Sequence, residues 1–183
     1  LHLALDPGHI GGIWADWEWR NFRISKEDHW IREGELVLEV AQRIRTRLTN
    51  LGAEVTLLRE NYQPINPMNF IDYWPLAAAE KMPPTELSLK SQIDHALTVR
   101  NRAMHLAIVR GEIAERARLV NEVIRPDALI SLHINAAEWP NGNRDQLVDS
   151  DHAHVLIFGC LSETELASTN QQVRLLEKLS NGS

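Results

Sequence analysis

A single cysteine, Cys160, occurs in 183 residues. It has no partner for an internal disulfide and no second thiolate for a sulfur-rich metal site, so any metal here must be held by nitrogen and oxygen. The chain also lacks an apolar run near the roughly 20 residues that span a bilayer, and its first residues already read as a strand. Neither a membrane anchor nor a signal peptide is therefore expected. No block of consecutive Lys or Arg occurs and the formal net charge is −6, which argues against nucleic acid phosphates as a partner. No internal repeat is apparent. What remains is 44% hydrophobic and 24% charged, enough for one core, and residues 1–183 are read as a single domain.

Residues 1–6 (LHLALD) read as a buried strand. The proline and glycines after it cannot continue a ladder, which places His9 at the strand's carboxyl end. A long loop follows, holding Trp14, Trp17, Trp19 and Trp30. These suit a lid, a sugar-stacking surface or a cover for the sheet. From Glu33 the period becomes helical, with Leu36, Val37, Val40, Ile44, Leu48 and Leu51 on one stripe and Gly52 at its end. Residues 53–59 (AEVTLLR) then read as a strand parallel to the first.

Residues 61–92 are rich in proline and aromatics and read as an irregular excursion, the main part of an insertion over 61–111. The span 93–124 reads as one long helix or two shorter ones, ending before Arg125-Pro126. Strands are expected over 128–136 and 152–159, and a last helix over 162–179, capped by Ser162 with an acidic first turn. This alternation predicts a three-layer α/β domain with a mostly parallel central sheet flanked by helices.

In such a sheet ligands bind at the carboxyl edge of the strands. His9 follows the first strand, His133 lies near the end of the strand over 128–136, and Glu33 opens the first helix at the same edge. Two imidazoles and a carboxylate are a common ligand set for catalytic zinc, with a fourth position left for water. Singly, each residue has a plainer reading: a solvated or hydrogen-bonded histidine, or a favourable charge at a helix start. Glu35 rivals Glu33, but two residues turn a helix by about 200°, so both cannot face one ion.

Asp6-Pro7-Gly8-His9 with Gly11-Gly12, Glu33 in EGELVLEVA, GAEVTLLR, ERARLVN (115–121) and SLHINA (131–136) follow one another in an order and approximate spacing that resemble the zinc-dependent N-acetylmuramoyl-L-alanine amidases of the amidase-3 type. The likeness runs from residue 1 to about 160, interrupted by the proline-rich excursion. It implies a peptidoglycan hydrolase that cuts the amide between N-acetylmuramic acid and the L-alanine of the stem peptide. The enzyme would act in the cell envelope, periplasmic or extracellular. By motif position His9, Glu33 and His133 are the implied Zn2+ ligands. Glu33 rather than Glu35 meets the E-x4-L-x-x-A pattern, through Leu38 and Ala41. The family's general-base glutamate, in a VLVE-x-GF-like strand, has no counterpart here. Glu163, Glu165 and Glu177 read as capping and surface charges. The expectation is therefore a domain that continues beyond both ends of the chain, or one that has lost the base.

Asn135 shares a strand face with His133 and reads as a substrate-binding or a loop-capping amide. Arg116 and Asn121 match the family's ERAxxxN stretch and read as structural, tying helix to sheet. Asp6 is expected to fix its loop through backbone N–H groups. His152 and His154 read as a surface or core pair, and His29, His95 and His105 as ordinary polar residues. Two other functions compete: a zinc-containing wall-binding or regulatory module without chemistry, and a phosphate-binding domain using GHIGG. The latter lacks a basic partner and a helix opening directly after the glycines.

Overall fold

A computed structural model describes residues 1–86, 88–134 and 153–155. By internal contacts the chain divides into two compact units, Leu1–Leu147 and Val148–Ser183. The first holds everything that follows. Of the strand expected over 152–159 only residues 153–155 are described, and these three are not in a strand. The helix over 162–179, and Asn135, His152, Cys160, Glu163, Glu165 and Glu177, lie outside the described residues.

The apolar run HLALDP forms β1 (His2–Pro7), and its middle is fully enclosed, Ala4 and Leu5 having no exposed surface. It is the central strand of a parallel sheet, between β4 (Glu54–Leu57) and β5 (Ala128–Leu132). Leu5 pairs with Leu57 on one side and Ile130 on the other. Burial on both sides explains why β1 is continuously apolar rather than alternating. Helix α2 (Glu33–Asn50) crosses between β1 and β4, and Leu5, Ala41 and Leu57 form a core with Ile44, Leu48 and Val55 against it. The molecule is thus the α/β architecture expected, a parallel sheet flanked by helices.

Several boundaries differ from the sequence reading. The α2 stripe is rotated: Gly34, Val37, Leu38 and Ala41 are buried, whereas Leu36, Val40 and Leu51 are exposed. Small residues at 34 and 41, two turns apart, let the helix approach there, and that sets the face. Strand β5 ends at Leu132 rather than 136, because its ladder partner β1 ends at the paired Pro7. The loop after β1 is ordered into a 3-10 turn at Gly12–Trp14, one helical turn α1 (Ala15–Glu18), and an antiparallel ribbon of β2 (Asn21–Phe22) and β3 (Ile31–Arg32). Of its tryptophans, Trp19 and Trp30 are exposed and Arg23 stacks on Trp30, so these two rings do not serve as a cover.

The proline-rich excursion is not irregular throughout. Asn69 caps a 3-10 turn (Phe70–Tyr73) reciprocally with Asp72, and Pro75 opens α3 (Trp74–Glu80), where a missing N–H costs nothing. Ser88 caps α4 (Leu89–His105), which continues through a π segment, α5 (Glu112–Arg118) and a second π segment to Ile124. The long-helix alternative for 93–124 therefore holds, with a start at Leu89. Ala77, Val99, Ala103 and Leu106 make a second core with Phe70 and Tyr73. Apolar residues that proline density obscured close on one another only once α3 folds back on α4. No helix among the described residues is long and apolar enough to cross a membrane.

One close approach joins α2 to the loop after β1. A Cβ on Gly34 would lie 2.5 Å from the Gly11 nitrogen and 2.7 Å from the Ile10 carbonyl carbon. Both are backbone atoms and cannot swing away. Gly→Ala in an open helix gains up to about 1 kcal/mol. Here the sign reverses, and Gly34→Ala is expected to destabilise by about 1–3 kcal/mol through overpacking. Urea denaturation of the variant checks this, and a gain in midpoint would refute the contact.

Candidate metal centre

Each of the three sequence-selected residues reaches the carboxyl edge of the sheet by a different device. His9 follows β1 by two residues in a left-handed backbone conformation, φ 56°. Glu33 is the first residue of α2, and its N–H donates to the Arg20 carbonyl at 3.1 Å. His133 stands just past β5 rather than within it, and is half-exposed. Gly8 makes the approach possible: a Cβ there would lie 2.6 Å from the Leu132 carbonyl oxygen and overlap the His133 ring.

The donors converge. Glu33 Oε2 lies 3.5 Å from His9 Nε2, and Glu33 Oε1 lies 3.3 Å from His133 Nδ1. One ligand atom from each of the three falls within 4.8 Å of the other two. The imidazoles meet edge to face, centroids 5.1 Å apart and planes at 85°. Two donors each about 2.05 Å from one tetrahedral ion would be about 3.3 Å apart, so the nitrogen–oxygen spacings fit a shared ion. The surroundings of His9 agree. Its Nδ1 faces Glu18 Oε1 at 3.2 Å and its Nε2 faces Glu33. A neutral imidazole has one N–H to give. A cation at Nε2 satisfies the second carboxylate without a second ring proton. This group can hold a metal ion.

Glu35 does not join it. Its Oε1 accepts the Gly12 N–H at 3.0 Å and pairs with Arg32 at 3.2 Å, so it secures the glycine loop instead. The helical turn between positions 33 and 35 separates the two carboxylates as expected.

Beneath the group lies a buried ionic cluster centred on Arg116, from α5. Its guanidinium donates to Asp6, to the Pro7 carbonyl at 2.8 Å, to the His9 carbonyl at 3.0 Å and to Glu112 at 2.9 Å. The reading of Arg116 as a tie between helix and sheet therefore stands. Among the described residues, the Asp6 carboxylate is held by Arg116 and the Ser131 hydroxyl rather than by backbone N–H groups. The guanidinium reaches Asp6 before the loop amides do. Glu112 also accepts the Ile65 and Asn66 N–H groups at 2.8 and 2.9 Å, joining the excursion to the same cluster. Arg59, almost fully buried, donates to the Gly34 carbonyl at 2.8 Å. Burial, reinforced by the Arg116 charge, pushes its guanidinium down to about 10, still charged at neutral pH.

A cleft of about 260 Å³ opens beside the group, lined by His9, Glu18 and His133 and by an apolar wall of Ile108, Val109 and Ile113. The apolar wall belongs partly to the first π segment, a helix defect often found at functional sites. His105 also lines the cleft, 5.6 Å from the exposed Trp19 ring, although its sequence context marked it as ordinary. Among the described histidines His9 and His133 alone enter the candidate group.

Glu18 is the residue that sequence reasoning missed. It sits nine positions after His9 in a stretch without periodicity, and no spacing rule connects them. Comparison with known proteins returns no matching family model, no matching curated protein and no matching solved structure.

Proposed function

We propose that this chain is the catalytic domain of a zinc-dependent N-acetylmuramoyl-L-alanine amidase, acting on peptidoglycan outside the cytoplasmic membrane. The observation that carries the reading is the convergence of His9, Glu33 and His133 within 4.8 Å. These are the positions that the motif order of the amidase-3 type assigns to metal ligands. A nitrogen, nitrogen, oxygen donor set suits zinc, and the lone cysteine leaves no sulfur alternative. Zinc bound there would supply a Lewis acid and a water with pKa lowered toward about 7.

The protein's own part is placement. Arg116 holds the carbonyls on both sides of Gly8, and Ile134 donates its N–H to Glu33 Oε1 at 2.9 Å, which orients that carboxylate. The exposed His133 side leaves the group open to a polymeric substrate, and the adjoining cleft can take the substituents beside the scissile amide. Asn135 follows this stretch and is the proposed substrate amide partner.

The test is digestion of purified peptidoglycan by the zinc-loaded chain, read by mass spectrometry of the soluble products. Stem peptides with a free amino-terminal L-alanine are the expected release. Retention on sacculi with zinc bound but no new amino termini would favour the wall-binding or regulatory module instead. New reducing sugars alone would replace the amidase by a glycan hydrolase.

A further inference from the structure

We infer that Glu18 is a positioning residue of the metal centre: it dictates which nitrogen of His9 carries the proton and so frees the other for the metal. The inference rests on the metal-centre reading above and extends it to a side chain outside the ligand set.

Glu18 is the last residue of α1, a single turn closed by Trp19 in the left-handed conformation, φ 54°. That turn brings the carboxylate back beneath the segment it left, with only 8% of the side chain exposed. Both oxygens are engaged there. Oε2 accepts the Ile10 N–H at 2.8 Å, and Oε1 lies 3.2 Å from His9 Nδ1. An ionised carboxylate only accepts, so Nδ1 must be the donor. The proton is thereby assigned to Nδ1 and the lone pair to Nε2, the nitrogen that faces Glu33. Such a partner fixes ring orientation and raises ligand basicity.

One carboxylate therefore sets the ring tautomer and the backbone after it together. His9 sits in a conformation that is uncommon for a non-glycine residue. It is gripped from one side by Glu18 through Ile10 and from the other by Arg116 at its own carbonyl. Among the described residues no other acidic side chain contacts His9 Nδ1, and Glu35 is committed to Gly12 and Arg32.

A role limited to accepting the Ile10 N–H is separable by Glu18→Gln. The amide oxygen can keep the Ile10 bond, which leaves an amide N–H facing Nδ1. Nδ1 must then accept, the proton moves to Nε2, and the metal meets an N–H instead of a lone pair. The reverse amide orientation would set donor against donor at Ile10.

The experiment measures zinc affinity by chelator competition for the wild-type chain, Glu18→Gln and His133→Ala, with thermal melts of the metal-free proteins. In the zinc-loaded wild type, 15N NMR locates the His9 ring proton. Glu18→Gln is expected to bind zinc about 10–100-fold more weakly, with a metal-free melting temperature close to wild type and the wild-type proton on Nδ1. Zinc binding by Glu18→Gln equal to wild type, or a wild-type ring proton on Nε2, overturns the role of Glu18 and leaves the metal centre standing. A cooperatively melting wild type that binds no zinc removes the metal centre and this inference with it. Should Glu18→Gln fail to fold, Glu18→Asp, whose carboxylate is one methylene further from Nδ1, takes its place in the zinc competition with the same expected loss.

Discussion

Replacing His133 by alanine is expected to abolish tight zinc binding while leaving the fold intact. The ring is half-exposed and contributes no core packing, so its removal subtracts a ligand and little else. Zinc held by four protein ligands gains roughly 10–16 kcal/mol, about 3 kcal/mol per ligand, so losing one of the three here should weaken binding by at least ~100-fold. His9→Ala and Glu33→Ala should lose zinc as well. His9 itself already holds a Cβ in the left-handed backbone at φ 56°, so His9→Ala adds little strain there. Glu35→Ala is the control: it frees the Gly12 N–H and Arg32 but removes no ligand. Elemental analysis after dialysis should give about one zinc per chain for wild type and Glu35→Ala, and almost none for the other three. Equal loss in Glu35→Ala would show that Glu33 is not the ligand.

The second large effect belongs to Arg116. Its guanidinium is the hub between Asp6, Glu112 and the carbonyls of Pro7 and His9, and it is almost wholly buried. Arg116→Ala would leave Glu112, also almost wholly buried, without its cation. Breaking one partner of such a buried pair costs about 3–5 kcal/mol. The loop carrying His9 would lose its anchor in the same step. Arg116→Lys should recover only part, because one ammonium cannot span four acceptors that a planar fork reaches together. Chemical denaturation measures the loss. A cost below about 1 kcal/mol for Arg116→Ala would mean that the cluster is solvated rather than buried, on the scale of surface pairs.

The two predictions divide along a line that the sequence partly exposed. The order of β1, α2, β4, the long helical span and β5, the parallel pairing of β1 with β4, and the placing of His9 and Glu33 at one edge were legible because each rests on local pattern. A continuous apolar run stopped by Pro7 and Gly8 dictates where β1 ends, and an apolar period interrupted only at Gly52 dictates the reach of α2. Helix α3 and the second core were not legible, because proline density marks where a chain turns and not what the turned segments bury. The α2 face was misjudged because periodicity locates a stripe only to within a residue or two. Its true centre is set by the small residues at 34 and 41.

The sequence by itself determined the fold class and the chemical kinds of donor available: two imidazoles and a carboxylate at the ends of successive elements, with a single cysteine and so no thiolate pair to compete. The motif pattern already favoured Glu33 over Glu35; only the tertiary structure decided that Glu35 instead secures Gly12 and Arg32, that Arg116 anchors the loop after β1, and that Glu18 stands behind His9. The physical reason is one of range. Hydrogen-bond and backbone preferences act over a few residues and leave a periodic trace. Contacts such as Arg116 with Asp6 or His133 with Glu33 join positions about a hundred apart and depend on distances that exist only once the sheet has closed.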